Sequence, residues 1–200
     1  MVLSPPKMTT RDVILDAAEK LVSHYGFRKT TIEDVAREAG VSKRTIYVYF
    51  ATKEDVGMSL LRRVVSRIQV RLDAIRSSDL PPTEKLREVL IFRTLERVIG
   101  VKDFSTCLDE LYSNVRTRCL EQRREFFEAD VTLVAELLEE GRKDGLCFDD
   151  PESTARALLL ATSAFIPYSL SVKEMGGIEH IERYLRTTVK LLVNGLGRAS

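Results

Sequence analysis

Apolar residues in this chain recur at three- and four-residue spacing almost from end to end, and that period excludes most architectures. Val13, Ile14, Ala17, Ala18, Leu21, Val22 and Tyr25 form a stripe with the spacing of one α-helical face. Thr10 stands where a cap is expected, and Gly26 follows the stripe, a residue that ends helices without steric cost. The stretch TTIEDVAREAG repeats this pattern over a shorter length. Thr31 lies three residues before Asp34, as in a capping box, Ile32, Val35, Ala36 and Ala39 turn inward, and Gly40 stops the run. Ser42 then caps a third helix with Ile46 and Tyr49 on one side. Thr52 with Asp55 caps a fourth, which carries Val56, Leu61, Val64, Val65, Ile68 and Leu72.

The rest of the chain follows the same period. After RSSDLPP, Pro82 suits the first turn of a helix that runs to Gly100. Further amphipathic stretches cover residues 104–114, 116–143, 153–172 and 178–193, with KDGLCFDDP and KEMGG as the breaks between the last three. No segment alternates as a half-buried strand does. The expected fold is therefore all-α: a flexible arm over 1–9, a helix-turn-helix domain over 10–55 with three helices, and a helical bundle over 56–200. Pro167 interrupts an apolar helical pattern, and a kink opening a cavity near Ser163 is expected there.

Composition narrows the function classes. The 200 residues suffice for one sizeable core or two small ones, and 44% hydrophobic with 30% charged residues is ordinary for a globular chain. Net charge is +1, so any basic footprint has to be local. Cys107, Cys119 and Cys147 are widely spaced, with His24 and His180 as their sole histidine companions, which suggests neither a disulfide framework nor a metal site. The start MVLSPPKMTT lacks the apolar core of a secretion signal, and no run of about 18 apolar residues occurs. A cytoplasmic protein without a membrane segment is expected. No H-E-x-x-H, G-x-S-x-G or Walker-type loop is present, and Glu139-Glu140 and Asp149-Asp150 read as solvated faces and caps. Neither catalysis nor a cofactor is expected.

The stretch GVSKRTIYVYF, residues 40–50, carries the functional signal. Ala36 is small where two helices cross, Gly40 sits in a turn that favours positive φ, and Ile46 packs back on the preceding helix. A third helix laid in the DNA major groove would present its first turn, Ser42, Lys43, Arg44 and Thr45, to base edges and phosphates. Lys or Arg donates to guanine O6 and N7, and the Thr45 methyl meets a thymine methyl. Tyr47 and Tyr49 offer phenolic donors for the backbone, and Lys53 puts a cation where free amides already favour phosphate.

From TIEDVAREAGVSKRTIYVYFATKED back through ILDAAEKLVSHYGFRKT to residue 11, the sequence resembles the TetR-type transcriptional regulators. The resemblance implies a homodimer whose paired helix-turn-helix domains bind a palindromic double-stranded operator, usually as a repressor, and whose bundle binds a small-molecule inducer. It implies that Thr31 touches phosphate, that Ser42, Lys43, Arg44 and Thr45 face the groove, and that Tyr47, Tyr49 and Lys53 contact bases or backbone. Val48 and Ala51 depart from the commonest pattern, in which an aromatic residue or His and a Lys stand at these positions. By the same resemblance the last two long helices form the dimer interface, and the fourth helix is the lever between ligand and DNA.

An inducer pocket should lie between bundle helices and be mostly apolar. Phe92, Phe104, Cys107, Tyr112, Phe127, Phe165 and Tyr168 are the candidate lining residues, being aromatic or polarizable on plausible inner faces. Arg93, Arg97 and Arg116 either receive an acidic ligand or lie on wet faces. The competing reading is an architectural factor that couples the helix-turn-helix to a protein partner and binds no small molecule.

Overall fold

A computed structural model of the chain describes residues 8–167 and 171–197, and for residues 101–116 the helical backbone but not the side chains. The first four helices are α1 (Thr10–Tyr25), α2 (Ile32–Glu38), α3 (Lys43–Tyr49) and α4 (Lys53–Arg76). They are followed by α5 (Pro82–Gly141), a 3-10 turn (Arg142–Asp144), α6 (Pro151–Ser163) and α7 (Ile178–Gly195). Extended pairing among the described residues is limited to an isolated antiparallel bridge between Leu146 and Gly197. No described helix is long and apolar enough to cross a membrane.

The chain divides into two compact units, Met1–Val64 with Asp103–Cys119, and Val65–Lys102 with Leu120–Ser200. In the first, local signals start and stop each helix. The cap of α1 is Thr9 and not Thr10: its hydroxyl accepts the Asp12 N–H at 3.2 Å, and Asp12 Oδ2 accepts the Thr9 N–H at 3.1 Å. Asp12 lies at the third helical position only if Thr9 is the cap, so the reciprocal pair decides the register. Thr31 with Asp34 repeats the box on α2, and Thr52 with Asp55 does so before α4.

Around these helices the core gathers Ile14, Leu15, Ala18, Val22, Phe27, Val35, Ile46, Phe50 and Met58, with Cys119 joining from α5. Tyr25, read as part of the inward stripe, is exposed and meets His24 edge-on instead. Leu15 takes an inward place that the stripe did not include.

The second unit departs further from expectation. Three helices were expected between residues 82 and 143, yet the helical residues form one element, Pro82–Gly141. Gly100 does not end it, because helix termination by glycine uses positive φ, and Gly100 stays helical. The run is not straight. Arg93 and Asp130 would be about 55 Å apart on a straight helix at 1.5 Å per residue, but Arg93 Nε lies 2.6 Å from Asp130 Oδ2. The chain therefore doubles back between these residues, within the bounds of α5.

The helix expected over 153–172 is also shorter. Its first turn holds Pro151, capped by Asp150, whose Oδ2 accepts the Ser153 N–H at 2.7 Å. It stops at Ser163, four residues before Pro167. A proline ring clashes with the carbonyl four residues earlier, and so Pro167 ends this helix where a kink was expected. Beyond the break, Ile166 packs with Val98 and Ile181, and Phe165, Val172, Met175 and Ile178 cover that cluster.

Candidate nucleic-acid interface

The turn before α3 is set by backbone chemistry. Gly40 has φ of 65°, the Val41 N–H donates to Ala36 O at 3.0 Å, and the Gly40 N–H donates to Arg37 O at 3.3 Å. These are the two bonds of a Schellman motif, which only a residue at ease with positive φ completes cheaply. Ser42 then restarts the helix, its Oγ accepting the Thr45 N–H at 3.0 Å. Such a cap contributes about 0.5–2 kcal/mol.

Of the seven residues in α3, Ile46 alone is buried, with Phe50 buried just past the C-terminus. One apolar anchor on each side of the final turn fixes the helix and leaves its outer face open. Lys43, Arg44, Tyr47, Val48 and Tyr49 are exposed on it, Val48 at 75%. Two tyrosines and a valine are thus left open to solvent on a helix of seven residues.

The remaining expected contact residues divide by what they already hold. Thr31 and Ser42 are exposed, but their hydroxyls serve as helix caps. Thr45 is half-buried with its Oγ1 2.8 Å from Ser42 Oγ. Lys43 is ion-paired with Glu33 on α2 and stands 5.9 Å from the Tyr47 ring centre. Its ammonium pKa is raised, first by the Glu33 hydrogen bond and then by that residue's charge, and the Glu33 carboxyl is lowered by the same bond. Lys53 donates to the Arg28 carbonyl at 3.2 Å and sits 4.5 Å from the Phe27 ring centre.

Four contributors were missed by sequence reasoning. Glu33 restrains Lys43, Phe27 and the Arg28 carbonyl hold Lys53, and Arg11 lies over the Phe50 ring at 5.2 Å while reaching Ser59 Oγ at 3.2 Å. The segment GFRKT carried a usable signal: Arg28 and Lys29 extend the cationic side of the same unit, and both are exposed.

Among the expected ligand residues, Phe92 is half-buried 5.9 Å from the Arg71 guanidinium, Phe127 is half-buried, and Phe165 packs in the cluster around Ile166. Phe104, Cys107, Tyr112 and Tyr168 lie outside the described residues, as does the Arg116 side chain. The second unit also has a surface groove of about 660 Å³ between the end of α5 and the start of α6, lined by Glu128, Val131, Ala135, Glu139, Lys143 and Glu152, among others. None of the expected pocket residues lines it.

Residues 14–56 match the model for bacterial regulatory proteins of the tetR family. The chain is 28% identical over 158 residues to the HTH-type transcriptional repressor NicS of Pseudomonas putida, a match covering 78% of this chain and 74% of that protein. It is 26% identical over 134 residues to the fatty acid metabolism regulator protein of Bacillus subtilis, covering 66% and 68% respectively. In fold it resembles a TetR/AcrR transcriptional regulator of Thermobifida fusca, with a TM-score of 0.74 at 23% identity over 94% of this chain and 98% of that one. The Pseudomonas and Thermobifida proteins are named as transcriptional regulators and the Bacillus protein as a regulator, none of them as an enzyme.

Proposed function

We propose that this chain, which belongs to the TetR family of transcriptional regulators, acts as a homodimeric repressor on a palindromic operator and is released when a small molecule binds its second unit. The observation that carries the DNA-binding reading is the outer face of α3. It presents Arg44, Tyr47, Val48 and Tyr49 to solvent behind the cap of Ser42, with Lys43 at its head. On this reading Arg44 and Thr45 read base edges, and Lys43, at the head of the helix, meets base edges and phosphate. Thr31, Ser42, Tyr47, Tyr49 and Lys53 contact the phosphate backbone and set register.

Two further features support the finer reading. Leu160 on α6 is 63% exposed, and Tyr184 and Leu191 on α7 are 50% and 69% exposed, so both helices carry large apolar side chains open to water. A second copy of the same surface would cover them in an isologous contact. Repression is supported by the relative named a repressor. The proposed ligand contacts are Phe92, Phe104, Cys107, Tyr112, Phe127, Phe165 and Tyr168. The proposed lever is α4, whose 24 residues span about 36 Å at 1.5 Å per residue.

Selection of random duplex DNA against the purified protein at physiological salt tests this reading. Enrichment of a palindrome, with two footprints per dimer, is the expected outcome. A folded dimer that enriches no sequence would overturn operator recognition and favour an architectural factor with a protein partner.

A further inference from the structure

The interior of the second unit holds more hydrogen-bonding capacity than its own side chains use. The side chains of Arg93 and Asp130 are each 1% exposed, and Arg93 Nε donates to Asp130 Oδ2 at 2.6 Å. Arg97 Nη2 donates to the same oxygen at 2.5 Å, and Gln69 Nε2 donates to Oδ1 at 2.9 Å. Three donors thus converge on one carboxylate, which has little capacity left for the rest of Arg93. Nη1 of that guanidinium is buried without a hydrogen-bond partner. Gln122, 5% exposed, is buried with neither its amide nitrogen nor its amide oxygen bonded.

Native interiors leave few polar atoms in this state, because a buried donor or acceptor without a partner forfeits its bond to water and gains nothing in return. A guanidinium sharing its counter-ion is the costlier case, since charge is harder to desolvate than a neutral amide. The flanking helical positions are apolar. Val89 and Leu90 lie one turn before Arg93, and Leu133, Val134 and Leu137 follow Asp130, all of them buried.

We propose that Arg93 and Gln122 form the polar ends of an internal site for an organic carboxylate with an apolar body. The carboxylate accepts from Arg93 Nη1, because a planar guanidinium suits a carboxylate in geometry and charge. The apolar body lies along the aliphatic residues beside Arg93 and Asp130. Gln122 lies about 12 Å from Asp130 along the helix, eight residues at 1.5 Å each, and meets a second polar group of the ligand. The proposal rests on the ligand-responsive reading above and names the chemistry of that ligand.

Calorimetric titration of the full chain without DNA is the test. The probes are straight-chain monocarboxylates from butanoate to dodecanoate, together with benzoate and phenylacetate, each beside its primary amide. At least one acid should bind about tenfold or more tightly than its amide, the range of a charge-assisted hydrogen bond. Arg93→Met alone leaves Asp130 paired with Arg97 and Gln69, and beside it is read the variant Arg93→Met with Asp130→Leu, in which apolar side chains replace the buried pair. It should fold and lose the preference for acid over amide, whereas Gln122→Leu should weaken binding and keep that preference.

Absence of binding across the series, equal binding of acids and amides, or undiminished selectivity in the double variant would each overturn the site. Operator release is read in parallel. Acids that bind without releasing DNA would uphold the site and overturn ligand response, and release by neutral compounds alone, with no acid bound, would do the reverse.

Discussion

Arg118 Nη2 donates to Asp55 Oδ1 at 2.7 Å, while Asp55 Oδ2 accepts the backbone N–H of Thr52 at 3.0 Å. One carboxylate therefore closes the cap of α4, directly after α3, and holds α5 to it. Beside this pair Cys119 Sγ lies 3.4 Å from Met58 Sδ, and burial pushes that thiol's pKa up, so it packs as an apolar group.

The first prediction concerns pH. Asp55 is held below its ordinary pKa, first by the Arg118 hydrogen bond, with burial opposing it next in size and the Thr52 hydrogen bonds and the Arg118 charge lowering it further. A depressed carboxyl contributes stability above its unfolded value of about 3.9 and loses it as pH falls through the folded value. Arg118→Ala brings the folded value back toward the unfolded one. The wild type should then lose stability more steeply than the variant below about pH 4, and at neutral pH the variant should be less stable by up to about 1 kcal/mol, as for a partly exposed pair. Urea unfolding at a series of pH values checks this, and parallel curves for the two proteins would remove Arg118 from the role.

Arg44 and Lys53 should differ in kind when replaced. Arg44 is exposed on the reading face, so Arg44→Ala should cost about 1–3 kcal/mol at one base pair of the operator and relax preference there. Lys53 is bound to the Arg28 carbonyl, so Lys53→Ala loosens the segment before α2 and removes a cation at once. It should weaken every duplex alike and flatten the salt dependence. Competition binding against single-base operator variants separates the two, and uniform loss in both would refute the division of roles.

On the proposed reading, Glu33 competes with DNA for Lys43. Glu33→Gln removes the charge that holds that ammonium, so the variant should bind operator and unrelated duplex more tightly and with a salt slope steeper by about 0.9, one additional phosphate neutralised. Titrations at several salt concentrations measure it. A slope unchanged from the wild type would mean that Lys43 does not reach phosphate.

What the sequence made legible follows from how local each signal is. Thr31 with Asp34, Gly40, Ser42, and Thr52 with Asp55 lie within a few residues of the helix ends they set, and all act in the structure as their spacing implies. The partners of Lys43 and Lys53 were not legible. Lys43 meets Glu33 from another helix, and Lys53 meets a backbone carbonyl, which no residue type announces. Nor was the interior of the second unit. Arg93 and Asp130 meet only because α5 doubles back, and in a one-dimensional pattern a buried arginine has the same signature as a solvated one. Pro167 was read at the right position, but its effect was to end α6 four residues earlier.

The open apolar side chains of α6 and α7 give a prediction about assembly. Leu160→Glu together with Leu191→Glu places carboxylates where two copies would meet, and a like-charged desolvated contact is strongly unfavourable. Both side chains are exposed in a single chain, so the fold should survive while the dimer dissociates. Sedimentation at micromolar concentration should show a monomer with unchanged helicity and much weaker operator binding. A dimer of undiminished affinity would assign the interface to another face.

Ser42 carries two roles that one pair of variants separates. Its Oγ accepts the Thr45 N–H and starts α3, and on the proposed reading the same residue lies against the DNA backbone. Ser42→Ala removes the cap and should cost about 1 kcal/mol of stability, with operator affinity falling because the helix start frays. Ser42→Asp is an equally good cap and places a negative charge at the helix N-terminus, where the macrodipole favours it. That variant should melt at or slightly above the wild-type temperature. Its carboxylate would nevertheless face the phosphates, so binding to every duplex should fall at low salt and recover in part as salt screens the repulsion. Thermal melts alongside salt-dependent binding read both effects. If Ser42→Asp keeps both its stability and its affinity, Ser42 is a cap that does not approach DNA.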